Sequence, residues 1–281
     1  MALAQLSKVR IEYFPHGEGP ERILFIHGFS ASARIWGMVQ EALPAERYTT
    51  VAINNRGAGG SDAPPNEYDF SVPHFAADAF ELGAQLGWKD FTLVGHSLGG
   101  VTAAQFAVDH PELLKGLVLL DPADPDGRRL SPGAPSMEEM LDLMIAGRRE
   151  RQARGGIGDG IGATGAGANG ELMRQLAEDM RNVPERRLRG SMRSMFDIRL
   201  GERVKSLPMP VIVVGGDADV LIPVANMLAT WAKYPAGTGL HFWHGVGHSP
   251  NLECPNELAA LLQQFIEKTI PTWTKKLKSS A

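Results

Sequence analysis

The chain has 281 residues, 43% apolar and 21% charged, which fits one large α/β domain or two small ones and excludes fibrous and disordered classes. Its formal net charge of −4 at pH 7 argues against nucleic acid or an anionic membrane as partner, since both call for a basic patch. A single cysteine, Cys254, excludes an intrachain disulfide and fits a reducing compartment.

From the N-terminus, Met1-Ala-Leu-Ala-Gln-Leu lacks the basic start and apolar run of a signal peptide. No apolar stretch approaches the ~20 residues of a membrane span, so a cytoplasmic location is expected. Residues 8–14 alternate apolar and polar and predict an edge strand. Residues 22–26 form an uninterrupted apolar run, the pattern of a strand buried on both faces, and end in His27-Gly28-Phe29. A helix is expected over 33–43 and a strand over 48–53, followed by the glycine-rich Asn54-Asn55-Arg56-Gly57-Ala-Gly59-Gly60-Ser61. Phe75, Ala79, Leu82 and Leu86 share one side of a helix over 72–86.

Four apolar or β-favouring residues then lead from Phe91 into Gly95-His96-Ser97-Leu98-Gly99, with a helical run from Gly100 to about His110. Strand, G-x-S-x-G and helix together describe a nucleophile elbow, a tight turn that lifts a serine above a sheet. Strands follow over 116–120, 210–214 and 240–243, with helices over 224–233 and 257–269. Strands alternating with helices imply an α/β fold, a mostly parallel central sheet with helices on both faces.

The interval 122–207 breaks that rhythm, because its patterns are helical only. Ser136-Met-Glu-Glu139 is a capping box. Met137, Met140, Leu141, Met144 and Ile145 trace one helical face; Leu172, Met173, Leu176 and Met180 a second; Leu188, Met192 and Met195 a third. Between the first two helices, residues 155–170 include eight glycines, read as exposed slack or as a gate. The interval reads as a helical cap (122–207) inserted into a core made of 1–121 and 208–281. Its methionines either line a permissive apolar pocket, with Met140 and Met144 as candidates, or fill helix–helix contacts. Trp36 and Phe29 are likewise pocket or core.

Ser97 needs a base, because a free hydroxyl is a weak nucleophile at neutral pH. His248, in Gly247-His248-Ser-Pro after the last strand, is the candidate, with His244 its competitor. Asp219 is the candidate acid that fixes the imidazole tautomer. Asp217 more naturally bonds local backbone N–H groups, and Asp121, at the end of the strand after the elbow, is the rival acid. Backbone N–H groups of Leu98 and Phe29 are placed to hold an oxyanion. His27 is expected to brace its loop. Arg148, Arg151 and Arg189 either hold a substrate carboxylate or are solvated.

With Ser97, Asp219 and His248 in this order, the chain resembles the α/β-hydrolase superfamily. The likeness covers about 8–122 and 207–269, through His27-Gly28, Arg56-Gly57-x-Gly59-x-Ser61, Gly-His96-Ser97-Leu-Gly-Gly, Gly-x-x-Asp219 and Gly247-His248-Ser-Pro. It implies a Ser-His-Asp catalytic triad and a serine hydrolase that cleaves a small, fairly apolar carboxylic ester through an acyl-enzyme. A lactone or a C–C bond in a vinylogous diketone is the alternative, and haloperoxidase, perhydrolase or non-turnover receptor roles rank lower. Haloalkane dehalogenases and epoxide hydrolases are similar but carry an aspartate nucleophile, so Ser97 speaks against both. Asn54 and Asn55 stand where the family has Asp before Arg-Gly. No dinucleotide fingerprint or metal-ligand spacing is visible, so no cofactor and no metal are expected, and the expected partner is a small-molecule ester or lactone.

Overall fold

The computed structural model describes residues 1–128, 133–153 and 170–280, with no side-chain description at 151, 152 and 276–280. Four strands open the chain: β1 (Ala2–Gln5), β2 (Arg10–His16), β3 (Glu21–Ile26) and, after the short helix α1 (Gly37–Ala42), β4 (Tyr48–Ile53). The first half closes with α2 (Val72–Gln85), β5 (Phe91–His96), α3 (Leu98–Asp109) and β6 (Leu114–Leu120). Helices alone follow among the described residues: α4 (Met137–Ala153), α5 (Gly170–Asn182), α6 (Glu185–Asp197) and α7 (Glu202–Lys205). The sheet then resumes with β7 (Val211–Gly216), α8 (Val224–Trp231) and β8 (Gly239–Trp243). The chain closes on α9 (Pro250–Glu253), α10 (Pro255–Gln264) and α11 (Ile270–Ser280).

All eight strands form one sheet in the order β1-β2-β4-β3-β5-β6-β7-β8, parallel from β4 to β8 and antiparallel at β1 and β2. Alternation along each strand explains how both faces are buried. Leu24 and Ile26 of β3 face the core built with Phe75, Leu82 and Val101, whereas Ile23 and Phe25 face the core of Trp36, Val39, Leu258 and Leu262.

Three sequence expectations shift. The strand predicted over 8–14 lies at 10–16 and is not at the edge, because β1 pairs outside it. That four-residue edge strand is too short to show alternation. The closing helix passes through a π turn at Phe265–Thr269 and continues as α11. Pro271 follows directly on that π turn, where Ile270 N–H reaches back to Phe265 O. The capping box forms: Ser136 N–H donates to Glu139 Oε2 at 2.7 Å, and Glu139 N–H to Ser136 Oγ at 3.2 Å. The glycine-rich stretch, 155–169 in particular, lies outside the described residues.

One buried ion pair ties the loop after β4 to α2. Arg56 donates to both Asp78 oxygens, at 2.7 and 2.6 Å, with the two side chains 2% and 3% exposed. Burial pushes the Asp78 carboxyl up against the opposing pull of Arg56. Asp78→Ala would strand the guanidinium, and a loss of about 3–5 kcal/mol is expected from urea denaturation.

Candidate active site

Ser97 joins β5 to α3 at φ 55°, ψ −116°, a backbone conformation that non-glycine residues rarely adopt. Two glycines make the turn possible. A Cβ at Gly95 would lie 2.1 Å from the Gly99 carbonyl oxygen, and one at Gly99 would lie 2.3 Å from that of Ile26. Ser97 N–H donates to Leu120 O across the sheet at 2.9 Å, fixing the turn over β6. Leu98 is the first residue of α3, so its N–H belongs to the set a helix leaves without an internal acceptor.

The loop after β3 lies directly against this elbow. A Cβ at Gly28 would be 3.0 Å from His96 Nδ1 and 3.3 Å from Ser97 Cβ. A cavity of about 90 Å³ opens between them, with Ser97, His248, Phe29, Ala31, Ile35 and Leu221 on its walls. Apolar side chains thus surround a hydroxyl and an imidazole.

His248 Nδ1 stands 2.6 Å from Asp219 Oδ2. A carboxylate oxygen accepts, so the nitrogen on that side is the donor and Nε2 is left as the basic one. Asp219 Oδ1 accepts from Leu221 and Ile222 N–H at 2.7 and 3.0 Å. Burial alone would raise the Asp219 carboxyl, but the His248 bond and charge and these two N–H donors together hold it below the ordinary carboxylate range. His96 Nε2 donates to the His248 carbonyl at 2.7 Å and anchors the loop. Burial, followed by the His248 charge, lowers His96 to about 3, so it stays neutral.

The rivals separate by position. His244, fully exposed, pairs with Asp217 at 2.8 Å, and Asp217 also accepts from Gly245 N–H. Asp121 is wholly buried beside the acid. One of its oxygens, one of Asp219 and a ring nitrogen of His248 lie within 4.8 Å of one another. These are the one such trio of acidic and imidazole groups among the described residues. His248 Nδ1 and Asp219 Oδ2 bond each other, Asp219 Oδ1 and Asp121 Oδ1 accept from backbone N–H groups, and Asp121 Oδ2 is buried without a hydrogen-bond partner.

The structure brings other residues to the site that sequence reasoning missed. Arg187 of α6 is fully buried, and its Nη1 donates to Phe29 O at 2.9 Å and its Nε to Arg56 O at 3.1 Å. It therefore clips the interval between β6 and β7 to both the loop after β3 and the loop after β4. Burial lowers it to about 9, which leaves it charged at neutral pH. Arg187 precedes Leu188 and sits one helical turn before Ser191, both also buried. Asn54 links the same loops: its Oδ1 accepts from Ala33 N–H at 2.6 Å and its Nδ2 donates to Glu12. His27 braces as expected, accepting from Asn55 N–H at 3.1 Å and donating from Nδ1 to Gly28 O at 2.8 Å.

Other candidates fall elsewhere. Trp36 is fully buried in the core, stacked on Phe25 at 4.7 Å, and is not on the cavity wall. Met144, like Phe29, packs against the cluster of Ile145, Val183 and Leu188, and Met140 is half-buried on α4; neither methionine lines the cavity. Arg189 pairs with Glu185, Asp142 and Glu138, and Arg148 donates to the Met180 carbonyl. The Arg151 side chain lies outside the described residues.

A profile described as alpha/beta hydrolase fold matches residues 21–255, and the chain belongs to that family. It is 30% identical to an uncharacterized protein of Mycobacterium tuberculosis, over 91% of this chain and 77% of the relative. It is 28% identical to a fluoroacetate dehalogenase of a Burkholderia species, over 94% and 92%. The bromoperoxidase structure from Bacillus anthracis superposes with a TM-score of 0.81, at 20% identity, over 95% of this chain and 99% of that one. Further relatives and neighbours are named as a methyl ester esterase, an enol-lactonase and an N-acyl homoserine lactone degrading enzyme. Among the described residues no helix is long and apolar enough to cross a membrane.

Proposed function

We propose that this protein is a cytoplasmic serine hydrolase that cleaves a small, fairly apolar carboxylic ester through an acyl-enzyme. The observation that carries the reading is the 2.6 Å contact of His248 with Asp219, on the wall of the cavity that also exposes the strained Ser97. His248 Nε2 takes the Ser97 proton as Oγ attacks the ester carbonyl, and the N–H groups of Leu98 and Phe29 hold the developing oxyanion. The tetrahedral centre collapses, and the alkoxide leaves with the proton from His248. Water then attacks the acyl-enzyme, giving its proton to His248 and releasing acid and free serine.

In this reading, 122–207 is a cap over a core of 1–121 and 208–281, held down through Arg187. The small cavity and its apolar walls favour a short acyl group. The dehalogenase relative does not change the nucleophile argument, because serine occupies the elbow here. Lactone hydrolysis is the second reading, favoured by the homoserine lactone degrading relative at 25% identity over 94% of this chain. A lactone requires the same triad and differs only in keeping its leaving group attached.

A panel of p-nitrophenyl acetate, butyrate, octanoate and an acyl homoserine lactone tests the assignment. Acetate and butyrate are expected to show the highest kcat/KM. Turnover of the lactone alone would replace the ester reading, and turnover of none would end both.

A further inference from the structure

Asp121 is the one acid of the site that the mechanism above does not use. Its backbone is in the left-handed region at φ 42°, which aspartate tolerates better than most residues but which still costs free energy. That twist turns the carboxyl under the loop after β7. Oδ1 accepts from Gly216 N–H at 3.2 Å, and the approach depends on Gly215, where a Cβ would lie 2.2 Å from the same oxygen. Oδ2 is buried and has no hydrogen-bond partner. Yet a carboxylate oxygen of Asp219 lies within 4.8 Å. Two anions so close in a buried site repel, whereas one added proton turns the pair into a donor and an acceptor.

We propose that Asp121 is a second acid of this site, a positioning residue whose carboxyl donates a hydrogen bond to the Asp219 carboxylate and fixes it against His248. The role rests on the hydrolase reading above, although the pairing itself does not. Asp219 then has all its partners: two backbone N–H groups on Oδ1, the imidazole on Oδ2, and the Asp121 proton. The charged and titratable groups facing Asp121 are Asp219, His248 from the loop after β8, and Glu253 and Cys254 around α9. Burial first, then the Asp219 charge, raise the Asp121 carboxyl well above its ordinary range, so the proton stays at neutral pH.

The sign of the stability effect follows. The unfolded chain releases this proton above about pH 3.9 and the native chain keeps it, so Asp121 makes stability fall as pH rises from there toward its folded value. Asp121→Asn carries no such loss. Its melting temperature is expected to exceed that of the wild type near pH 8, with the gap closing toward pH 5. An asparagine variant less stable than wild type near pH 8 would overturn the proposal, since that is the behaviour of an ionised acid.

Labelling of Ser97 by a fluorophosphonate, followed against pH, tests the role. Asp121→Leu keeps the branching at Cγ, with more bulk, and removes the donor; it is expected to slow labelling by about tenfold, as loss of an outer partner does for metal-bound imidazoles. Its acid limb moves to higher pH, because charge concentrates on Asp219 beside His248. Asp121→Asn restores an N–H donor and most of the rate. Wild-type rates in the leucine variant, or a collapse in the asparagine variant, would refute the role. If the leucine variant does not fold, the asparagine variant decides alone. Failure of wild-type Ser97 to label would count against the hydrolase reading, while the melting comparison still decides the pairing.

Discussion

Ser97→Ala is expected to lower kcat for a p-nitrophenyl ester on the order of 10⁶-fold, to a residual rate due to binding and the oxyanion site alone. The size follows from what the position supplies. Ser97 is the atom donor for the covalent bond, and His248 has nothing to deprotonate once Oγ is gone. The backbone turn does not depend on the hydroxyl, because Ser97 N–H bonds Leu120 and the glycine contacts are main-chain. The variant should therefore fold, with an unchanged far-ultraviolet circular dichroism spectrum, and bind substrate with little change in affinity.

Asp219→Asn is expected to cost roughly 10⁴-fold in kcat. An amide facing His248 Nδ1 can present its own N–H, which favours the tautomer with the proton on Nε2, the wrong nitrogen for a base. Asp219 also contributes stability through its depressed carboxyl. That contribution is present above the unfolded value of about 3.9 and is lost as pH falls through the folded one. The asparagine variant should thus be less stable than wild type at neutral pH, with the difference closing in acid. This is opposite in sign to the Asp121→Asn result, so the two aspartates can be told apart by calorimetry as well as kinetics.

The fold was legible because its strands from β3 onward are largely apolar runs with a helix between consecutive pairs, the signature of a sheet covered on both faces. β1 escaped because four residues hold too few side chains to show a period. The elbow was legible because its glycines answer to backbone contacts set by local chain geometry, and these leave the same mark in any sequence. The sequence ranks Asp219 before Asp121 but leaves both open, since both follow a strand that ends beside His248. What separates them is which carboxylate meets Nδ1, a matter of side-chain direction. Arg187 was missed for a different reason. A charged residue on a helix is normally solvated, and only the packing of α6 over two loops turns this one inward. Trp36 shows the converse: position just after the His27-Gly28-Phe29 loop in sequence says nothing of whether a ring faces the cavity or the core.

Covalent turnover at Ser97 can be seen directly by intact-mass spectrometry after a rapid quench with p-nitrophenyl butyrate. A mass gain of one butyryl group is expected, mapped to the peptide carrying Ser97, transient in the wild type and absent in Ser97→Ala. Hydrolysis by the wild type with acyl mass on another residue, or undiminished turnover in Ser97→Ala, would contradict it.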